Sequence, residues 1–144
     1  MDDYDALVAL FDELDEFHRL ARPCVFRRFD GPARTRGQIE QWLIGAGSTV
    51  LVAELDGMVA GLAVLLTRPP SPFAGAVPLK AIELDNLVVH SGLRSQGIGR
   101  RLIEAAVAWS RGRGRATSAS PCTPSTATRA GSTNAPALHR RSID

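Results

Sequence analysis

The stretch Arg94-Ser95-Gln96-Gly97-Ile98-Gly99 sets two glycines at alternate positions beside an arginine, just before a helix-forming run. Glycine lets a backbone come close to a phosphate. The free N–H groups of a first helical turn point outward, and the helix dipole favours an anion there. Arg94 adds a charge-assisted contact. The chemistry implied is the binding of an anion, a pyrophosphate by preference, although the same fragment serves equally as a tight turn. Two other phosphate loops are excluded. A dinucleotide fingerprint, G-x-G-x-x-G, needs glycine where Leu102 stands, and a Walker loop needs G-x-x-x-x-G-K-[ST], which is absent. Cys24 and Cys122 are far apart and form no CxxC pattern, so neither a disulfide framework nor a zinc site is indicated.

The elements that must position this loop read clearly. Tyr4, Leu7, Val8, Phe11, Leu14, Phe17 and Ala21 recur at helical spacing with acids between them, and Pro23 ends the pattern. Residues 27–35 read as a loop broken by Gly31-Pro32. A shorter helix is expected over 36–44, closed by Gly45 and Gly47. Residues 48–55 and 58–67 read as two strands joined by Asp56-Gly57, a strong two-residue hairpin signal. After a Pro-rich loop a third strand is expected over 80–89, and a short connection over 90–96. A helix then runs over 97–111, with Ile98, Leu102, Ala105, Ala106 and Trp109 on its apolar face. Trp42 and Trp109 sit at helical spacing among apolar neighbours and are expected in the core. Hairpin strands followed by a strand–loop–helix unit indicate an α/β fold, a mixed sheet with helices on its faces.

In this setting residues 84–104, LDNLVVHSGLRSQGIGRRLIE, resemble motif A of the GCN5-related N-acetyltransferases (GNAT). The motif is a strand with Val-Val near its end, then [Arg/Gln]-x-x-Gly-x-[Gly/Ala], then a helix. With the helices and hairpin before it, the resemblance spans roughly residues 2–115. It implies a mixed, mostly antiparallel sheet flanked by helices. It also implies acetyl-CoA as co-substrate, no metal, and direct attack by a primary amine on the thioester within a ternary complex. Carried over by position, backbone groups at Leu87, Val88 and Val89 would bond the pantetheine arm. Arg94, Ser95, Gln96, Gly97, Ile98, Gly99 and Arg100 would surround the pyrophosphate. The acceptor would be a small-molecule or peptide amine, and a homodimer is common in the family.

An attacking amine must lose a proton to a general base, often through water. Glu83 falls where the histone-acetylating members of the family place theirs, and Asp85 is the second choice. Two residues apart, they are expected to share a strand face with Leu87 and Val89. Burial there would raise either pKa. The alternative role is that of solvated carboxylates or anchors for the substrate amine. His18 reads as a residue at the core edge or a substrate contact, and His90 as a variable loop position.

The family pattern fails beyond Gly112. Residues 116–137 are Ser, Thr, Ala and Pro with hardly a large apolar residue, a composition that cannot bury enough surface to order itself. The expected division is therefore an incomplete GNAT domain over 1–112 and a disordered or frame-shifted tail over 113–144. The family's second cofactor segment, whose Tyr often protonates the leaving thiolate, is missing, and the only Tyr is Tyr4. Reading the third base of each codon from Ser118 onward with the next two, GC-rich choices give GFAVYPVNGDAGRFYERAGFAPSID. That is the missing segment in nearly ideal form. The strand that usually precedes the first helix is also lacking. The sheet is expected to be truncated at both ends, about three strands with bare edges, and only marginally stable.

A net charge of +2 gives no argument for nucleic acid, and the arginines of the tail lack interleaved aromatics. No signal peptide or membrane-length apolar run is visible, so the expected location is the cytoplasm. The rival reading is an inactive CoA-binding remnant or pseudogene product.

Overall fold

The computed structural model describes residues 3–32, 34–78, 80–113 and 137–140. Asp56 and Gly57 take φ of 51° and 76°. Two left-handed residues make the hairpin turn whose twist matches that of its strands. Accordingly β1 (Ser48–Leu55) and β2 (Met58–Arg68) pair across it, from Leu55↔Met58 to Ser48↔Leu66. β2 then pairs antiparallel with β3 (Ala81–Val89), from Arg68↔Ala81 to Gly61↔Val89.

On the far side of β1 lies β4 (Ala137–Arg140), antiparallel, with Glu54 opposite Ala137 and Leu51 opposite Arg140. The sheet order is β3-β2-β1-β4. This fourth strand differs from the expectation of three strands and a tail without order. Its physical basis is main-chain pairing: an open edge such as that of β1 offers a row of N–H and C=O groups to any extended segment, whatever its composition. The rest of the expected tail, 114–136 and 141–144, lies outside the described residues.

Alternation along the strands feeds two cores. On one face α1 (Asp3–Ala21) and α2 (Arg36–Ile44) cover Val50, Val52, Leu62, Val64 and Val88 with Leu7, Leu10, Phe11 and Ile39. Thr35 caps α2 by accepting from the Gln38 N–H at 3.2 Å. On the other face α3 (Ile98–Arg113) sets Ile98, Leu102 and Ala106 against Leu51, Ala53, Ala60, Ala63 and Leu65. The alanines of that face leave room for α3 to approach. Trp42 packs on Phe11, ring centroids 5.9 Å apart, and Trp109 packs against the α3 core, as their spacing suggests.

One irregularity governs what β3 presents. Val64 pairs with Asn86 and Leu65 with Leu84, so Asp85 has no partner. It is the extra residue of a β-bulge, and a bulge resets the two-residue alternation. Ile82 and Leu87, an odd number of residues apart, therefore both pack on the α3 side.

Candidate functional site

The chain leaves the sheet at Val89 under local control. The His90 N–H donates to the Ala60 carbonyl at 2.9 Å, and the Leu93 N–H to the His90 carbonyl at 2.9 Å. The His90 imidazole Nδ1 accepts from the Gly92 N–H at 3.2 Å, closing a 3₁₀ turn over Ser91–Leu93. His90 is thus a cap for the loop. Ser95 and Gly97 then take φ of 65° and 79°, which turns the chain into α3. A Cβ on Gly97 would meet nothing within 4 Å, so conformation rather than room selects glycine there. The first intrahelical bond runs from the Arg101 N–H to the Gly97 carbonyl at 3.1 Å. The preceding N–H groups of Ile98, Gly99 and Arg100 fall in the first turn, where a helix has no internal acceptors to offer.

These elements enclose a cleft of about 420 Å³ lined by Leu87, Val89, Leu93, Arg94, Ser95, Gly97, Ile98, Gly99 and Arg100. All but two of the residues expected at the cofactor are brought together here. Gln96 is exposed and does not line the cleft, and Val88 turns away. The direction of Val88 follows from Gly61: a Cβ there would lie 2.8 Å from the Val88 carbonyl oxygen, so that carbonyl faces β2. His90 also bonds to β2 through its N–H, and backbone groups alternate in direction along a strand. Leu87 and Val89 therefore turn their backbone groups to the outer edge, where no described strand lies. A smaller cleft of about 190 Å³ on the α1 side, lined by Leu14, Phe17, Leu87, Val88, Val89 and Arg94, meets the first along this edge.

Arg94 lies across the junction. Its Nε donates to the Val89 carbonyl at 3.2 Å, and its guanidinium stands 3.8 Å from Glu13 of α1. The same Glu13 oxygen accepts from the Ser91 backbone N–H at 2.8 Å. Desolvation pushes the Glu13 carboxyl pKa up. The hydrogen bonds from Ser91 and the charges of His90 and Arg94 outweigh it and hold the group below the usual carboxylate value. Glu13 was not among the residues expected here. Its only sequence signal is an acid at the margin of the apolar face of α1.

The two candidate bases fare differently from expectation. Glu83 pairs with Leu66, which packs on the α1/α2 core, so the bulge places Glu83 on the opposite face from Leu87 and Val89. It is exposed and ion-paired to Arg68. The hydrogen bond from Arg68 lowers its pKa, against the expected rise by burial. Asp85 is exposed at the bulge and accepts from the Asn86 side-chain amide. His18 is half-buried and stacks on the exposed Phe26, ring centroids 5.2 Å apart. The Tyr4 hydroxyl donates to the Arg34 carbonyl at 3.0 Å, which ties α1 to the loop before α2.

A strand end, a turn with two left-handed residues and an open helix N-terminus together form, in this α/β sheet, a cleft beside a free strand edge. The chain belongs to the acetyltransferase (GNAT) family, whose model matches residues 10–133. It has the fold of a tetramutant of the BH1408 protein from Bacillus halodurans, at 23% identity and a TM-score of 0.70 over 77% of this chain and 71% of that one. An acetyltransferase from Vibrio fischeri is similar at 17% identity, TM-score 0.61, over 79% and 85% of the two chains. Among curated proteins none matches it by sequence. Acetyl transfer is thus the chemistry of its family. Among the described residues no helix is long and apolar enough to cross a membrane, and no three His, Cys, Asp or Glu side chains cluster to hold a metal.

Proposed function

We propose that the chain binds acetyl-CoA along the outer edge of β3 and is built to pass the acetyl group to a primary amine. The observation that carries this reading is continuity: the free edge at Leu87 and Val89 opens into the cleft formed by Arg94, Ser95, Gly97 and the first turn of α3. The pantetheine arm, an amide-bearing chain, suits a strand edge with unpaired groups. The pyrophosphate suits the helix N-terminus and Arg94. In the reaction the amine nitrogen bonds to the thioester carbon, the C–S bond breaks, and the sulfur takes up a proton as the nitrogen loses one. We assign receipt of the amine proton, directly or through water, to Asp85, because bulges re-aim side chains at sites and Glu83 is held by Arg68 on the other face.

The test is titration of the full chain with CoA, followed by thiol release from acetyl-CoA with a panel of primary amines. Saturable binding that falls about tenfold in Arg94→Ala, as for loss of a charged hydrogen bond, supports the cleft. No binding overturns it.

A second reading, a CoA-binding remnant without turnover, is favoured by one observation. The chain's single Tyr is committed to the Arg34 carbonyl, away from the cleft, so no phenol serves the leaving sulfur. Sequencing the gene across codons 110–144 separates the readings. A second frame encoding the Tyr-bearing segment makes the natural product a complete enzyme. Its absence, with CoA binding and no thiol release, leaves the remnant.

A further inference from the structure

We infer that Glu13 is a positioning residue that sets how freely Arg94 reaches an anion in the cleft, holding the guanidinium back along the strand edge. This rests on the reading of the cleft as a pyrophosphate site. Among the described residues Arg94 is held by Val89 and Glu13, and neither lies at the helix N-terminus. Its Nε is bonded to the Val89 carbonyl at 3.2 Å, one of the outward groups that a cofactor arm needs. Its terminal nitrogen lies 3.8 Å from Glu13 Oε1. Glu13 is itself fixed by the Ser91 N–H at 2.8 Å, so it forms a stationary negative charge at the mouth of the loop. An anion entering between Arg94 and α3 competes with that charge for one guanidinium. When Arg94 moves to the anion, the edge at Val89 is released as well. Anion binding and exposure of the strand edge are then one event, with Glu13 opposing both.

The test is a double-mutant cycle on the full chain with CoA as the probe: parent, Glu13→Gln, Arg94→Gln and the double variant. Gln keeps an oxygen to accept from Ser91 and removes only the charge. Glu13→Gln is expected to tighten CoA binding about two- to fivefold, the size of an exposed ion pair. The gain should shrink at high salt and vanish in the Arg94→Gln background. A Glu13 that merely supports the loop would instead weaken binding in both backgrounds, which overturns the inference. Parent binding with Glu13→Gln unchanged or weaker overturns the latch alone. A parent that binds no CoA overturns the reading of the cleft, and the latch falls with it.

Discussion

The two ends of β3 are built by different rules. At its C-terminal end, from Val88 to Gly99, every direction is fixed by neighbours close in sequence or by one tight contact: His90 caps its own turn, Gly97 supplies a left-handed residue, and Gly61 admits the Val88 carbonyl. At its N-terminal end, from Ala81 to Asp85, all but Ile82 are exposed, the face is decided by a bulge, and the Glu83 carboxylate is paired with Arg68 of the neighbouring strand. Such contacts stiffen the first end, the one at which cofactor binding is proposed above. The second leaves Glu83 and Asp85 in water. Four substitutions probe how far this contrast holds.

The largest effect is expected at the grip. A Cβ on Gly61 would stand 2.8 Å from the Val88 carbonyl oxygen and 3.2 Å from Leu102 Cδ1. The first neighbour is backbone, and the second belongs to a fully buried side chain, so neither yields easily. Gly61→Val should cost about 3 kcal/mol, the upper range for overpacking, read as a lower urea midpoint with an unchanged slope. CoA binding should weaken with it. A variant as stable as the parent would show that β2, β3 and α3 are looser than the contact implies, and the two ends of β3 would then not differ in stiffness.

The next effect separates the two carboxylates of the open end. Asp85→Asn should lower kcat about 100-fold, within the range for loss of a general base, in whichever frame-complete or native form turns over. Glu83→Gln should change kcat less than about threefold, because a carboxyl whose pKa is lowered by Arg68 is a weak proton acceptor. The reverse pattern would return the role to Glu83 and require Arg68 to let go of it during turnover.

Legibility from sequence follows the same contrast. The Asp56-Gly57 turn, the glycine loop and all three helices are local features, and their residues announce them. Both helix bounds of α2 and both strand bounds of β1 coincide with the expected ones. What was not legible depends on partners distant in sequence. The face of Glu83 depends on the Asp85 bulge, which exists only in the pairing of β2 with β3. The pairing of β4 with β1 depends on main-chain groups that carry no sequence signal. Glu13 became part of the site because α1 crosses the end of β3, and nothing in a run of acids distinguishes the one that meets Ser91. The inward turn of Val88, against the expectation of three free strand-end residues, is likewise a matter of register.

The smallest effect sharpens the comparison at low pH. Glu13, at the gripping end, and Glu83, at the open end, both have pKa values below the ordinary 4.5. A carboxyl whose folded pKa is depressed contributes stability that is fully present above its unfolded value and is lost as pH falls through the folded one. Both residues should therefore steepen the acid limb of the stability curve below about pH 4.5. Their causes differ. Glu13 is held chiefly by a backbone N–H and the Ser91 side chain, with Arg94 adding less, whereas Glu83 depends on one flexible, exposed arginine. Salt screens the second kind of contact far more than the first. The difference between parent and Glu13→Gln on the acid limb, about 0.5 kcal/mol by analogy with surface pairs, should survive high salt. The corresponding difference for Glu83→Gln should fade. Equal loss of both would mean that Glu13 acts mainly through Arg94 and that its bond to Ser91 contributes little. The loop would then be held by charge at both ends of the strand.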